Sequence, residues 1–298
     1  MTNLAECIVS NPPMVGQQLA EPQGETVLLR VKLCNLPPFH AVANQLLALS
    51  AGQDPPDIRR VASIVSSDPA LAAEVLFLAN SSLFGFPARI RSLAHAVTIL
   101  GAERIQDLAL TVAMRTLALA AGPYVRPCWR HSVACAVIAH EIAHLFDCPL
   151  DHAYTAGLLH DVGRLGFLRS YAREVAPVLG AEYSDNREVL AAEVAAVNTD
   201  HGTAGSWLIE YWVLPELFGQ VCAHHHDAPH PSDSPVLQTI QAACRLADAV
   251  GFGAVRYKSA PNYAETVRSL PSFMPRGSFP EEEELRAKVE SRLKIFDC

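Results

Sequence analysis

His160 and Asp161 sit side by side in a stretch, Ala153 to Leu168, that is otherwise rich in Ala, Leu, Val and Gly and reads as a buried helix. An imidazole and a carboxylate among aliphatic side chains must be paired or bind a metal, because a lone buried charge is costly. Successive helical residues point about 100° apart, so the two do not satisfy each other. Both can reach a cation lodged between this helix and its neighbours, and Gly157 and Gly163, lacking side chains, let those neighbours approach closely. The plain alternative is a core histidine hydrogen-bonded to a nearby carboxylate. The positions of the other histidines favour the cation. His131, His201, the pair His225-His226 and Asp248 each fall on a further expected helix in the same half of the chain. Imidazole and carboxylate together suit Fe, Mn, Zn or a similar divalent ion, and two ions can share one carboxylate.

The elements that must carry these residues follow from local signals. Residues 1–24 show no period and read as a tail. Leu36-Pro37-Pro38 leads into a helix from about Phe39 to Leu49, and Pro55-Pro56-Asp57 starts another to about Val65. Asp68 caps and Pro69 opens a helix over Ala70–Ala79, which ends at Asn80-Ser81-Ser82 before a turn at Phe84-Gly85-Phe86-Pro87. Ser92 caps a helix to Leu100, Gly101 ends it, and Ala102–Leu119 is long and apolar. Ala121-Gly122-Pro123 is the expected boundary. Beyond it come helices from about Pro127 to Phe146 and from about Asp151 through the His-Asp doublet, an irregular stretch at 170–186, and a helix over Arg187–Val197. Asp200 caps a helix from His201 to Trp212, Pro215 opens one ending near His226, and Pro235–Val250 is another. Gly251–Pro280 reads as an extended wrap or linker, and Glu281–Glu284 start a last amphipathic helix with acids at its positive end. The expected fold is all-α in two helical lobes: a tail over 1–24, a first lobe over 25–121, a second over 122–255, and a linker with a helix over 256–298.

Composition agrees with that class. Half of the 298 residues are hydrophobic and only 7% are aromatic, which favours packed helices over a β-sandwich. A net charge of −8 argues against direct nucleic-acid binding, since phosphate contacts need a basic surface. No apolar run reaches membrane-spanning length, and Met1–Pro13 lacks the basic start and apolar core of a signal peptide. The eight cysteines are scattered without a Cys-x-x-Cys pair and read as buried thiols. A cytoplasmic protein without a membrane partner is expected.

The order His…His-Asp…His…His-His…Asp resembles the HD superfamily of metal-dependent phosphohydrolases. The first lobe narrows the likeness. Leu36-Pro37-Pro38, Ser67-Asp68-Pro69-Ala70-Leu71-Ala72, Leu78-Ala79-Asn80-Ser81-Ser82-Leu83-Phe84-Gly85 and Ala96-Val97 with Leu100-Gly101 resemble the HDOD (HD-related output domain) family. Trp129-Arg130-His131-Ser132, Gly157 to Gly163 and Trp212-Val213-Leu214-Pro215 continue it, over about residues 33 to 250. The resemblance implies an all-α bacterial protein, with an HD-like bundle as its second lobe, at the output end of a signalling pathway. By the same resemblance His131, His160, Asp161, His201, His225, His226 and Asp248 take the metal positions, for one or two ions, with Asp161 as the bridge.

The departures shape the functional expectation. Related HD-GYP phosphodiesterases, which cleave cyclic di-GMP, carry Gly-Tyr-Pro soon after the paired histidines, where this chain has Asp227-Ala228-Pro229-His230-Pro231. They place a Lys three residues after the last Asp, where this chain has Gly251, and some use a Glu four residues before the first His, here Pro127. Near the motif only Arg130 and Arg164 offer to hold a phosphate. The expectation is therefore a signalling module that binds a protein partner or a nucleotide second messenger without turnover. The alternative is an active metal-dependent phosphohydrolase or phosphodiesterase that uses Asp161 and His160, in which the ion polarises phosphate and lowers the pKa of water toward ~7. His140-Glu141-Ile142-Ala143-His144 matches the zinc-protease helix in spacing, but no third ligand or substrate-binding edge strand is expected beside it.

Overall fold

A computed structural model of the chain describes residues 57–80, 90, 92–118, 124–274 and 279–296, with the isolated positions 33, 42, 45 and 46. The expected tail, most of the Phe39–Leu49 helix, the turn at 84–87, Ser81-Ser82 and the Ala121-Gly122-Pro123 boundary lie outside the described residues.

Capping side chains start the helices where the sequence places them. Asp57 accepts from the Arg59 amide at the head of α1 (Ile58–Ser66), and Asp68 accepts from the Leu71 amide at 2.9 Å in the first turn of α2 (Pro69–Ala79). Asn80 then clasps Ile90 in both directions, donating to its carbonyl at 2.9 Å and accepting from its amide at 2.8 Å. Ser92 caps α3 (Leu93–Leu100), and Gly101, at φ 88°, turns the chain into α4 (Ala102–Ala118). A positive φ at this turn is the conformation that glycine adopts without strain.

The second half is built on α5 (Val125–Ile142), extended by a 3-10 turn over Ala143–Phe146. Almost every side chain of α5 from Cys128 to Ala139 is buried, because α6 (Leu150–Leu159), α12 (Pro235–Ala249) and α14 (Glu282–Phe296) pack around it. Between these lie α7 (Val162–Ser170), α8 (Ala172–Gly180), α9 (Asn186–Val197), α10 (His201–Tyr211), α11 (Glu216–His224) and α13 (Tyr263–Ser269). Among the described residues the only strands are β1 (Glu182–Tyr183) and β2 (Arg256–Tyr257), paired in parallel. The buried apolar residues form one contiguous cluster from Leu33 to Leu293. The protein is all-α. No described helix is long and apolar enough to cross a membrane.

Two expectations need correction. The His-Asp doublet is not in the middle of a helix: α6 ends at Leu159, α7 begins at Val162, and Asp161 sits between them at φ −103° and ψ 16°. Residues 170–186 are not irregular throughout, since α8 occupies 172–180 with Pro177 inside it. A proline without an N–H removes one helical bond, and a nine-residue helix tolerates it because Val175, Val178 and Leu179 are buried. Within 251–280, Arg256–Tyr257 form β2, Tyr263–Ser269 form α13, and the Phe252 carbonyl meets the His131 ring.

Candidate metal centre

Close packing surrounds the junction at His160 and Asp161. A Cβ on Gly163 would fall on the carbonyl oxygen of His201 and come within 2.7 Å of the Gly205 nitrogen, and one on Gly157 would lie 2.6 Å from Ala136 Cα. Glycine at these positions brings α7 against α10 and α6 against α5. His160 and His201 are thereby delivered to one buried space, with His131 from α5 and His225 from the end of α11.

Each of these imidazoles is oriented by what its Nδ1 touches. His131 Nδ1 bonds the Phe252 carbonyl at 2.8 Å, His160 Nδ1 the Gly157 carbonyl at 2.7 Å, and His225 Nδ1 the Cys222 carbonyl at 2.8 Å. His201 Nδ1 lies 2.6 Å from Glu193 Oε2, which also accepts from the His201 amide at 2.9 Å. Carbonyls and carboxylates only accept, so all four rings hold a proton on Nδ1 and turn Nε2 inward. The Nε2 atoms meet in pairs, His131 with His160 at 3.2 Å and His201 with His225 at 3.3 Å.

Asp161 lies between the pairs. Its Oδ2 binds Arg164 Nη1 at 2.5 Å. Its Oδ1 is 3.2 Å from His201 Nε2, 3.4 Å from His225 Nε2 and 3.8 Å from His160 Nε2, yet no donor is aligned with it and it is buried. An unsatisfied carboxylate oxygen facing imidazole nitrogens is the donor set that a divalent cation completes. The ligand-type atoms form two groups, each within 4.8 Å: Asp161, His201, His225 and His226, and His131, His160 and Cys244.

In the metal-free protein these groups set one another's charge. Burial would raise the Asp161 carboxyl, but Arg164, His160 and His201 outweigh it and hold the group well below the usual carboxylate range. Burial keeps the His160 ring far below its ordinary value, so it is neutral with a free lone pair, and lowers His225 in the same way. For His201, burial and Arg164 act downward, but Glu193 and Asp161 prevail and raise the ring to about 9. Burial would raise Glu193, which His201 and Arg164 instead hold at about 2.

The remaining candidates divide. His226 is at the cluster, but its Nδ1 faces the Asn186 side-chain nitrogen at 3.0 Å, and the Asn186 oxygen takes the Tyr257 hydroxyl. That amide donates, so the His226 proton belongs on Nε2, which is buried without a partner. Asp248 is not brought into either group: its Oδ1 is 3.6 Å from His131 Nδ1, the nitrogen turned away from the cluster. Arg164 is 2% exposed and held between Asp161 and Glu193, the latter 3.2 Å from Nε, while Arg130 lies over the Phe252 ring at 5.6 Å. In the zinc-protease-like motif, Glu141 pairs with Lys288 at 2.6 Å and His140 meets Tyr154 edge-on.

Glu193 and Cys244 are the residues at the cluster that sequence reasoning missed. A signal existed for the first: Val189, Glu193 and Val197 share one helical face at four-residue spacing, and all three are buried. An acid on an apolar face requires a partner. For the second, Cys244 lies one turn before Asp248 on α12 and is buried.

Comparison with known proteins places this arrangement. The HDOD domain profile matches residues 36–228, more than half of the chain. The chain belongs to the HDOD family. A crystal structure of an HDOD domain protein from Geobacter sulfurreducens is 25% identical, with a TM-score of 0.71 over 91% of this chain and 97% of that one. A protein named for signal transduction from Marinobacter aquaeolei VT8 is 19% identical, with a TM-score of 0.69 over 92% of this chain and 66% of that one. One named as a metal-dependent phosphohydrolase from Shewanella amazonensis SB2B is 20% identical, with a TM-score of 0.60 over 91% and 99%. A relative from Treponema pallidum (strain Nichols) is 23% identical over 295 residues, 96% of this chain, which spans only 55% of that protein's length. Within the HDOD match lie His131, His160, Asp161, Glu193, His201, His225 and His226, whereas Cys244, Asp248, Phe252 and Tyr257 lie beyond it.

Proposed function

We propose that this HDOD chain is a signal-output module holding one or two divalent ions, Fe, Mn or Zn, and acting by binding a signalling protein or a nucleotide second messenger rather than by turnover. The observation that carries the metal reading is the unsatisfied Asp161 Oδ1 among imidazoles that hold their protons on Nδ1. His131, His160, Asp161, His201 and His225 would hold the ions, and His226 would offer an N–H to an anion beside them. A bound divalent ion supplies Lewis acidity toward phosphate and water. Burial supports a structural or sensory ion: Asp161, His160 and His201 are 0% exposed, and Arg164 already serves two carboxylates.

The deciding measurement is metal content of the purified protein by mass spectrometry, beside a His160→Ala/Asp161→Ala variant. One or two equivalents in the parent, lost in the variant, support the reading, and no metal in either sinks it.

The second reading, a metal-dependent phosphohydrolase, is favoured by one feature. Asp161 adjoins both ligand groups, as a carboxylate shared by two ions would. It predicts hydrolysis of a generic phosphodiester with added Mn that His160→Ala and Asp161→Ala each abolish. A parent protein without turnover ends that alternative.

A further inference from the structure

The group of His131, His160 and Cys244 differs in kind from the one around His201, because its third donor is sulfur. Cys244 Sγ is 3.6 Å from His131 Nε2, and its residue is 3% exposed. The His131 and His160 rings hold their protons outward on the Phe252 and Gly157 carbonyls, so two nitrogen lone pairs and a sulfur converge within 4.8 Å. The nearby acid, Asp248, faces the Nδ1 side of the His131 ring, away from the sulfur. Among the described cysteines, only Cys244 falls in such a group.

Resting on the metal reading above, we propose that Cys244 is a thiolate ligand that completes, with His131 and His160, an ion position selective for Zn²⁺ or Fe²⁺ over Mn²⁺ and Mg²⁺. Thiolate is a soft donor and suits Zn²⁺ or Fe²⁺, whereas Mg²⁺ and Mn²⁺ favour carboxylate, carbonyl and water oxygens. On binding, the thiol proton is released to solvent and the sulfur lone pair is donated to the ion.

Cobalt(II) is the probe, added to the full chain after metal is stripped. The expected spectrum has visible d–d bands together with a near-ultraviolet thiolate-to-cobalt charge-transfer band. Cys244→Ser should lose the charge-transfer band and keep visible bands from the Asp161, His201 and His225 position, and Cys148→Ser should keep both. Zn²⁺ should bleach the charge-transfer band at concentrations at which Mn²⁺ leaves it unchanged. Cobalt bound without that band, or a band that survives Cys244→Ser, overturns the proposal while leaving the metal reading intact. No cobalt bound at all overturns both. Should Cys244→Ser fail to fold, X-ray absorption of the zinc-loaded parent decides. A sulfur shell at about 2.3 Å supports the thiolate, and a shell of nitrogen and oxygen alone refutes it.

Discussion

Glu193 sets the state of His201, one of the ligands proposed for the ion. Its carboxylate receives both the ring and the amide of His201, and its other oxygen holds Arg164. In the metal-free protein these bonds make stability depend on pH in two windows. The folded Glu193 carboxyl is depressed from 4.5 to about 2, so its contribution is complete above about pH 4.5 and lost as pH falls toward 2. The His201 ring is raised from 6.5 to about 9, so its contribution is complete below about pH 6.5 and lost as pH rises through 9. Denaturation midpoints of the stripped protein should therefore decline between pH 6.5 and 9. Glu193→Gln should flatten that decline, because the ring loses the carboxylate that raises it. A parent and a variant with parallel curves over this range would show that Glu193 does not govern the ring. The same variant should bind Zn²⁺ about 10–100-fold more weakly, as loss of a ring-orienting partner does elsewhere.

At the scale of the element, the centre depends on how closely α7 approaches α10. Gly163→Ala would drive a methyl into the His201 carbonyl, which is backbone and cannot swing aside. The expected cost is about 1–3 kcal/mol or more in denaturant unfolding, with a parallel fall in metal content, because Asp161 immediately precedes α7 and His201 opens α10, the two helices being pushed apart. Gly219→Ala is the contrast. It is a helical glycine whose added methyl would find its nearest neighbour, Ile209 Cγ2, at 3.6 Å. That change should stabilise by about 0.5–1 kcal/mol and leave metal content unaltered. Equal effects from both would mean that close approach at Gly163 is not what assembles the centre.

These elements also show what the sequence made legible. Capping residues and proline positions are local chemistry, so the helices begun by Asp57, Asp68, Ser92 and Asp200 start where side chains announce them, whereas the caps Asp185 and Ser234 went unread. The close approach at Gly157 and Gly163 was readable too. The break at His160-Asp161 was not, since apolar residues run through it on both sides and no proline or capping side chain marks it. Helix α8 was obscured by Pro177. At the centre, residue types were visible but their orientation was not. His131 is oriented by the Phe252 carbonyl, 121 residues away, and a backbone carbonyl leaves no trace in residue type.

For the whole molecule, the consequence is that an ion at this centre ties together segments far apart in the chain. Its neighbours come from α5, the α6–α7 junction, α10 and the end of α11, with Phe252 behind His131 and Tyr257 reaching His226 through Asn186. Helices α1 to α3 contribute none of these groups. A ligand that binds only the folded arrangement stabilises it by about 2.7 kcal/mol at a hundredfold excess over Kd. The gain is felt in the segments whose opening would release it. Amide hydrogen exchange with and without Zn²⁺ should therefore show slowing in all of those segments together, including the stretch around Phe252 and Tyr257, while α1 to α3 exchange as before. Slowing confined to one helix would mean that the ion is held at a local surface site. Slowing spread evenly over the chain would mean that opening is global and that the centre does not select the elements it touches. Only the patterned result makes the C-terminal segment part of the metal centre, and with it a route by which occupancy of the centre can alter the surface of the module.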